Sequence, residues 1–241
     1  GVPEPQNGVA DPVGSHLLVL ANGPEGYRRL AGALTDAYLA EGGQKGHPVH
    51  DLNHLAEVAD GHWTVLTGCR KGAVRQGLAR GVPQAEAELH HLIDLFGTDN
   101  VLVELTDHRA PTNSRDNDVL AELAGRHGLT TVATTAAHYA SAEQFELACA
   151  LSAVRARRSL DEMDGGRPPG PVARLRSGVE MADLFSRHRD AVDNTVAVAE
   201  RTAFQLRSVR PGLPDQKVPE GHAPFSWLRH LEEEGRQGCY G

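Results

Sequence analysis

The chain has 241 residues, 40% of them hydrophobic and 23% charged, a globular composition that excludes a disordered or fibrous protein. No apolar run is long enough to span a bilayer and no basic-then-apolar leader opens the chain, so a cytoplasmic protein without membrane association is expected. A net charge of −8 lends no support to tight nucleic-acid binding.

Three widely spaced cysteines, Cys69, Cys149 and Cys239, argue against a disulfide framework and fit a reducing compartment. Aromatics are scarce at 5%, so the core rests on Leu, Val and Ala. The sequence begins at "GVPEPQNG" without an initiator Met and stops at "GRQGCYG" just after a helical pattern. A piece of a longer protein is expected.

In chain order, "SHLLVLA" (15–21) reads as a short buried strand, and "GPEGYRRLAGALTDAYLA" (23–40) carries Tyr27, Leu30, Leu34, Ala37 and Tyr38 at helical spacing. Asp51 caps a predicted helix over 51–60. "HWTVLTG" (62–68) reads as a second strand, followed by a helix ended by Gly81 and another running from Pro83 to Gly97. "NVLVELTD" (100–107) is a third strand, Asn113 to Arg126 a helix, "LTTVATT" a fourth strand, and "SAEQFELACALSAVRARR" (141–158) a helix. Such alternation over 15–158 predicts parallel strands joined by crossovers, in a barrel or an open sheet.

The grammar then changes. "DEMDGGRPPGPVARLRSG" (161–178) is rich in Gly and Pro and reads as a linker. Two helices follow, then a polar, Pro-punctuated stretch (208–224) and a final helix, "FSWLRHLEEEG". A domain boundary is expected near residue 160.

Functional side chains in parallel α/β folds gather at the C-terminal ends of strands. Cys69 follows the second strand, Asp107 and His108 the third, His138 and Tyr139 the fourth. His16 opens its strand instead and is the odd member of this set. Imidazole and thiolate both suit zinc. Alternatively Cys69, flanked by Arg70 and Lys71, is a nucleophile with His108 or His138 as its base. Gly68 to Gly72 could cradle phosphate, although the loop lacks the P-loop pattern.

Plainer readings stand beside each of these. A cysteine after a strand is commonly a small apolar filler, and a strand-end histidine is commonly hydrogen-bonded structure. The same holds for His50 with His54, for the neighbours His90 and His91, and for the cluster Arg155, Arg157 and Arg158, all expected on solvated faces.

The stretches "SHLLVLANGPEGYRRL", "GHWTVLTGCRKGAVRQGL", "VLVELTDHRAPTNSRDNDVLAELAGRHGL", "TVATTAAHYA", "LRSGVEMADLF" and "DNTVAVAERTAFQL" follow one another at the order and spacing of a known family. Together they resemble the bacterial C-family DNA polymerases, the family of the DNA polymerase III alpha subunit, and within it the error-prone, translesion branch. The resemblance implies a fold class of α/β type: residues 1–158 as a partial PHP (polymerase and histidinol phosphatase) domain, a distorted β/α barrel with parallel strands. Residues 159–241 would be a linker and the first, mostly helical, part of the polymerase region.

It also implies that His16, Cys69 and His138 match three metal ligands of the PHP barrel. His138 ends a motif that reads Asn-Asp-x-His in metal-binding relatives, while here Ala136 takes the acid's place. Earlier ligand motifs would precede Gly1. The three are therefore expected to be relics of a metal site; zinc or manganese there is opposed by the missing carboxylate. The parent activity implied is nucleotidyl transfer to a primer 3′ end in DNA replication and damage-induced translesion synthesis. Its partners would be a DNA primer–template, deoxynucleoside triphosphates and other replication or translesion proteins, with Mg2+ as cofactor. The palm carboxylates of that chemistry would lie beyond this stretch, so the chain alone is expected to be inactive. The alternatives are a free-standing PHP-like metal phosphoesterase, a cysteine hydrolase at Cys69, and a plain binding or scaffold domain.

Overall fold

The computed structural model describes residues 14–40, 48, 50–163, 170–209 and 217–240; the Gly/Pro-rich crossing and the polar stretch fall partly outside them, as does the side chain of Cys239. Four strands, β1 (Leu18–Ala21), β2 (Trp63–Leu66), β3 (Val101–Thr106) and β4 (Thr130–Thr134), form one sheet in the order β1-β2-β3-β4. β3 runs parallel to β2 and β4, as expected. β1 does not: it pairs antiparallel with β2, Leu18 opposite Leu66 and Ala21 opposite Trp63. The expectation of parallel strands throughout is corrected here. The amide of Asn22, just past β1, donates to His62 O at 2.9 Å, so β2 begins where β1 ends. A short apolar run carries no signal of direction; the pairing partner sets it.

The helices are α1 (Gly23–Leu39), α2 (Leu52–Ala59), α3 (Ala73–Leu78), α4 (Val82–Phe96), α5 (Asn113–Arg126), α6 (Phe145–Ala156), α7 (Gly178–Leu184), α8 (Arg189–Thr202) and α9 (Pro224–Tyr240). Local chemistry sets their limits. Asp51 accepts from the His54 amide at 2.8 Å and caps α2. Pro lies in the first turn of α4 and Gly97, at φ 84°, ends it. Ser177 and Glu180 form a reciprocal capping box that starts α7. Among the described residues no helix is long and apolar enough to cross a membrane.

Alternation along the strands divides the core. Trp63, Val65, Val101, Val103, Leu105 and Ala133 face one side, where Leu89 and Leu92 of α4 and Leu120 and Leu123 of α5 cover them. Leu66, Leu102 and Val132 face the other, against Leu20 and Val198 of α8. Truncating a buried leucine such as Leu120 to Ala is worth roughly 2–5 kcal/mol. Met181, Phe185 and Ala191 belong to the same main cluster. One compact unit runs from Gly1 to Phe204 and a second from Gln205 to Gly241. Within the second, α9 leaves Phe225, Leu228 and Leu231 exposed, and Arg229 stands 5.5 Å over the Phe225 ring.

Candidate functional site

Reversal of β1 resolves the odd position of His16. Because β1 starts where β2 ends, His16 lies at the same sheet edge as the loops after β2, β3 and β4. Its amide donates to Lys71 O at 2.8 Å, and it forms an isolated bridge with Gly72.

The loop after β2 is a tight turn in which the Gly72 amide donates to Cys69 O at 2.7 Å. Gly68 sits at φ 84°, and a Cβ on Gly72 would stand 2.1 Å from Thr67 O and 2.8 Å from the Gly68 Cα. Backbone touches backbone here, which accounts for both glycines without a bound phosphate. Cys69 is half-buried in this turn, and Arg70 beside it is exposed.

After β3, Asp107 accepts from the Arg109 amide at 2.6 Å, while the His108 amide donates to Asn113 Oδ1 at 3.0 Å. His108 Nε2 lies 3.0 Å from Thr135 O; a carbonyl only accepts, so this nitrogen carries the proton and ties the ends of β3 and β4 together. After β4, the His138 amide donates to Ala173 O at 2.8 Å. The His138 ring stands perpendicular to that of His108 with centroids 6.1 Å apart. Desolvation, then the neighbouring His108, Arg70 and His16, hold the His138 imidazole below the ordinary histidine value, so it is neutral at pH 7. Ala136, in the acid's place, adopts φ 40°, a region that Asn and Asp enter far more readily than Ala.

Beneath this edge lies a buried polar group absent from the sequence reading. Arg75 of α3 donates to Thr106 O at 3.2 Å and to Asn117 Oδ1, and its guanidinium lies 4.0 Å from Asp116. Burial lowers its pKa; Asp116, Glu104, Cys69 and Asp107 oppose that in this order. Glu104 is 2% exposed and accepts from the Thr134 hydroxyl across β3 and β4. Burial pushes its carboxyl pKa up, against the Thr134 hydrogen bond and the charge of Arg75. A strand buried on both faces hides such an acid in a continuous apolar pattern.

His16, Cys69 and His138 thus offer two imidazoles and a thiol, with no carboxylate at position 136 and with the cations Arg70 and Arg75 close by. Among the described residues, one group of three ligand-type side chains has donor atoms all within 4.8 Å of one another, and it is a different one: Glu86, His90 and His127. His90 and His91 are both exposed, as expected, but His90 packs against His127 with ring centroids 4.5 Å apart. Only the four-residue spacing of Glu86 and His90 on α4 hints at this group in sequence; His127 comes from another helix.

Residues 7–108 match the PHP domain family. Error-prone DNA polymerases are similar along nearly the whole chain: that of Cutibacterium acnes is 87% identical over 241 residues, all of this chain and 21% of the relative. That of Nocardia farcinica is 50% identical over 98% of this chain and 21% of its own length, and that of Corynebacterium jeikeium 36% over 93% and 18%. The chain spans about a fifth of the length of these curated relatives. The chain is thus similar over residues 7–108 to the PHP domain and, from end to end, to a segment of about a fifth of these error-prone DNA polymerases.

Proposed function

We propose that the chain serves as the PHP region and first polymerase-region helices of an error-prone DNA polymerase. The whole protein would add deoxynucleotides to a primer 3′ end on a DNA template, past damaged bases, in the cytoplasm, with Mg2+ as its cofactor. The supporting observation is the 87% identity over all 241 residues to a protein bearing that name. The family boundary near residue 158 is part of this reading; α7 and α8, beyond it, pack onto the PHP sheet and would couple the two regions.

Within that protein the strand-end set acts as structure. His16, Cys69 and His138 lack the carboxylate that phosphoester hydrolysis by metal ions needs. A cation brought to them would meet Arg70 and Arg75. Their backbone and ring contacts knit the strand ends instead: His16 to the β2 turn, and His138 to Ala173. The test is primer extension across an abasic site by the whole polymerase, compared with the 241-residue chain alone. Extension by the whole protein and none by the chain is the expected result; extension by the chain would contradict it.

A further inference from the structure

Glu86 and His90 lie four residues apart on α4, and therefore on one helix face. The buried residues Ala85 and Leu89 beside them hold that face in place. His127 sits at the C-terminal cap of α5, its amide shared between Leu123 O and Ala124 O at 3.2 Å each. All three side chains thus stand on packed elements rather than on a loop. His127 precedes β4 and His138 follows it, so the length of that strand separates this group from the strand-end set.

His127 Nε2 lies 2.8 Å from Glu86 Oε1, and His127 Nδ1 lies 3.3 Å from His90 Nε2. The Glu86 carboxylate accepts from His127 Nε2. With Nε2 donating to Glu86, His127 Nδ1 is the nitrogen that faces His90 Nε2. Two ligand nitrogens on a tetrahedral zinc, each about 2.0–2.1 Å from it, stand about 3.3–3.4 Å apart. The observed nitrogen pair has that spacing, and the carboxylate behind His127 is the usual support of a ligating imidazole.

We propose that this group binds one zinc-type divalent transition ion, with His90 Nε2 and His127 Nδ1 as ligands and Glu86 as the residue that positions His127. The ion takes the place of the proton between the two imidazole nitrogens, which passes from His90 Nε2 to His90 Nδ1 through solvent, so that each ring stays neutral and ligates through one nitrogen. Exposed His90 leaves the remaining positions to water. Arg126, 3.4 Å from Glu86 Oε1, competes for that carboxylate.

Calorimetric titration of the 241-residue chain with zinc chloride tests this. One site is expected that is lost in His90→Ala, weakened roughly 10- to 100-fold in Glu86→Gln, and unchanged in Cys69→Ser and His138→Ala. Thermal melting without zinc should be the same for wild type and His90→Ala, and zinc should raise the midpoint of wild type only. No zinc uptake would overturn the proposal and leave a plain hydrogen-bonded relay. Uptake indifferent to His90→Ala, or abolished by Cys69→Ser, would overturn it as well.

Discussion

His16 and Gly72 are paired across the edge of the sheet although 56 residues separate them in sequence, and the His16 amide donates to Lys71 O at 2.8 Å. The pairing depends on Gly72 having no side chain, because a Cβ would meet Thr67 O at 2.1 Å. Gly72→Ala should cost about 3 kcal/mol, the upper end for overpacking. For a chain of this size that lowers the melting midpoint by about 6–12 °C. An unchanged midpoint would mean that the turn relaxes freely and holds nothing together.

Glu104 and Thr134 join β3 to β4 through a partly buried hydrogen bond, but Glu104 Oε2 has no partner among the described residues. Its folded pKa is raised above 4.5 by burial. The contribution of this group to stability is full below the unfolded value and is lost as pH rises through the folded one. Glu104→Gln removes the titration. The stability of wild type minus that of the variant should therefore fall as pH climbs from 4.5, read by urea unfolding at several pH values. A difference that rises with pH would show the attraction of the Arg75 charge to outweigh desolvation.

Ala136 at φ 40° holds a left-handed conformation that costs an alanine about 1–2 kcal/mol. Glycine relieves that strain and loses about 0.5–1 kcal/mol to chain entropy. Ala136→Gly should come out more stable by about 0.5–1 kcal/mol, and Ala136→Asn no less stable than wild type. Destabilisation in both would show that the alanine methyl is needed where it stands.

Glu180 closes the α7 cap onto Ser177 and pairs with Arg174. The Arg174 hydrogen bond, then those from Ser177, bring its pKa down to about 2. With the folded pKa depressed, its stabilisation is present above the unfolded value of 4.5 and is lost as pH falls toward 2. The stability of wild type minus that of Glu180→Gln, read by urea unfolding followed by circular dichroism, should therefore be positive at neutral pH and shrink as pH falls from 4.5 toward 2. Ser177→Ala should cost about 1 kcal/mol at neutral pH. Superimposable acid curves for wild type and Glu180→Gln would contradict the role of the cap.

Much of the fold was legible because its limits are set locally. The cap at Asp51, the Pro and Gly that bracket α4, and the span Asn113–Arg126 of α5 are written in side chains next to each helix end. The direction of β1 was not legible, since it depends on pairing with β2, and with it went the reason why His16 joins the strand ends. That Met181, Phe185 and Ala191 enter the main core was not legible either, because it depends on which surface the helices after the Gly/Pro-rich stretch meet. The Glu86, His90 and His127 group needs two helices to meet, and Glu104 lies hidden in a strand buried on both faces.

The measurement closest to the central claim is hydrolysis of a phosphomonoester by the 241-residue chain supplied with manganese or zinc. Knitted strand ends with Ala136 in the acid's place predict no turnover above buffer with either ion, for wild type and for His138→Ala alike. Turnover by wild type that disappears in Cys69→Ser and His138→Ala would contradict the account, and would make the edge of this sheet a working metal centre.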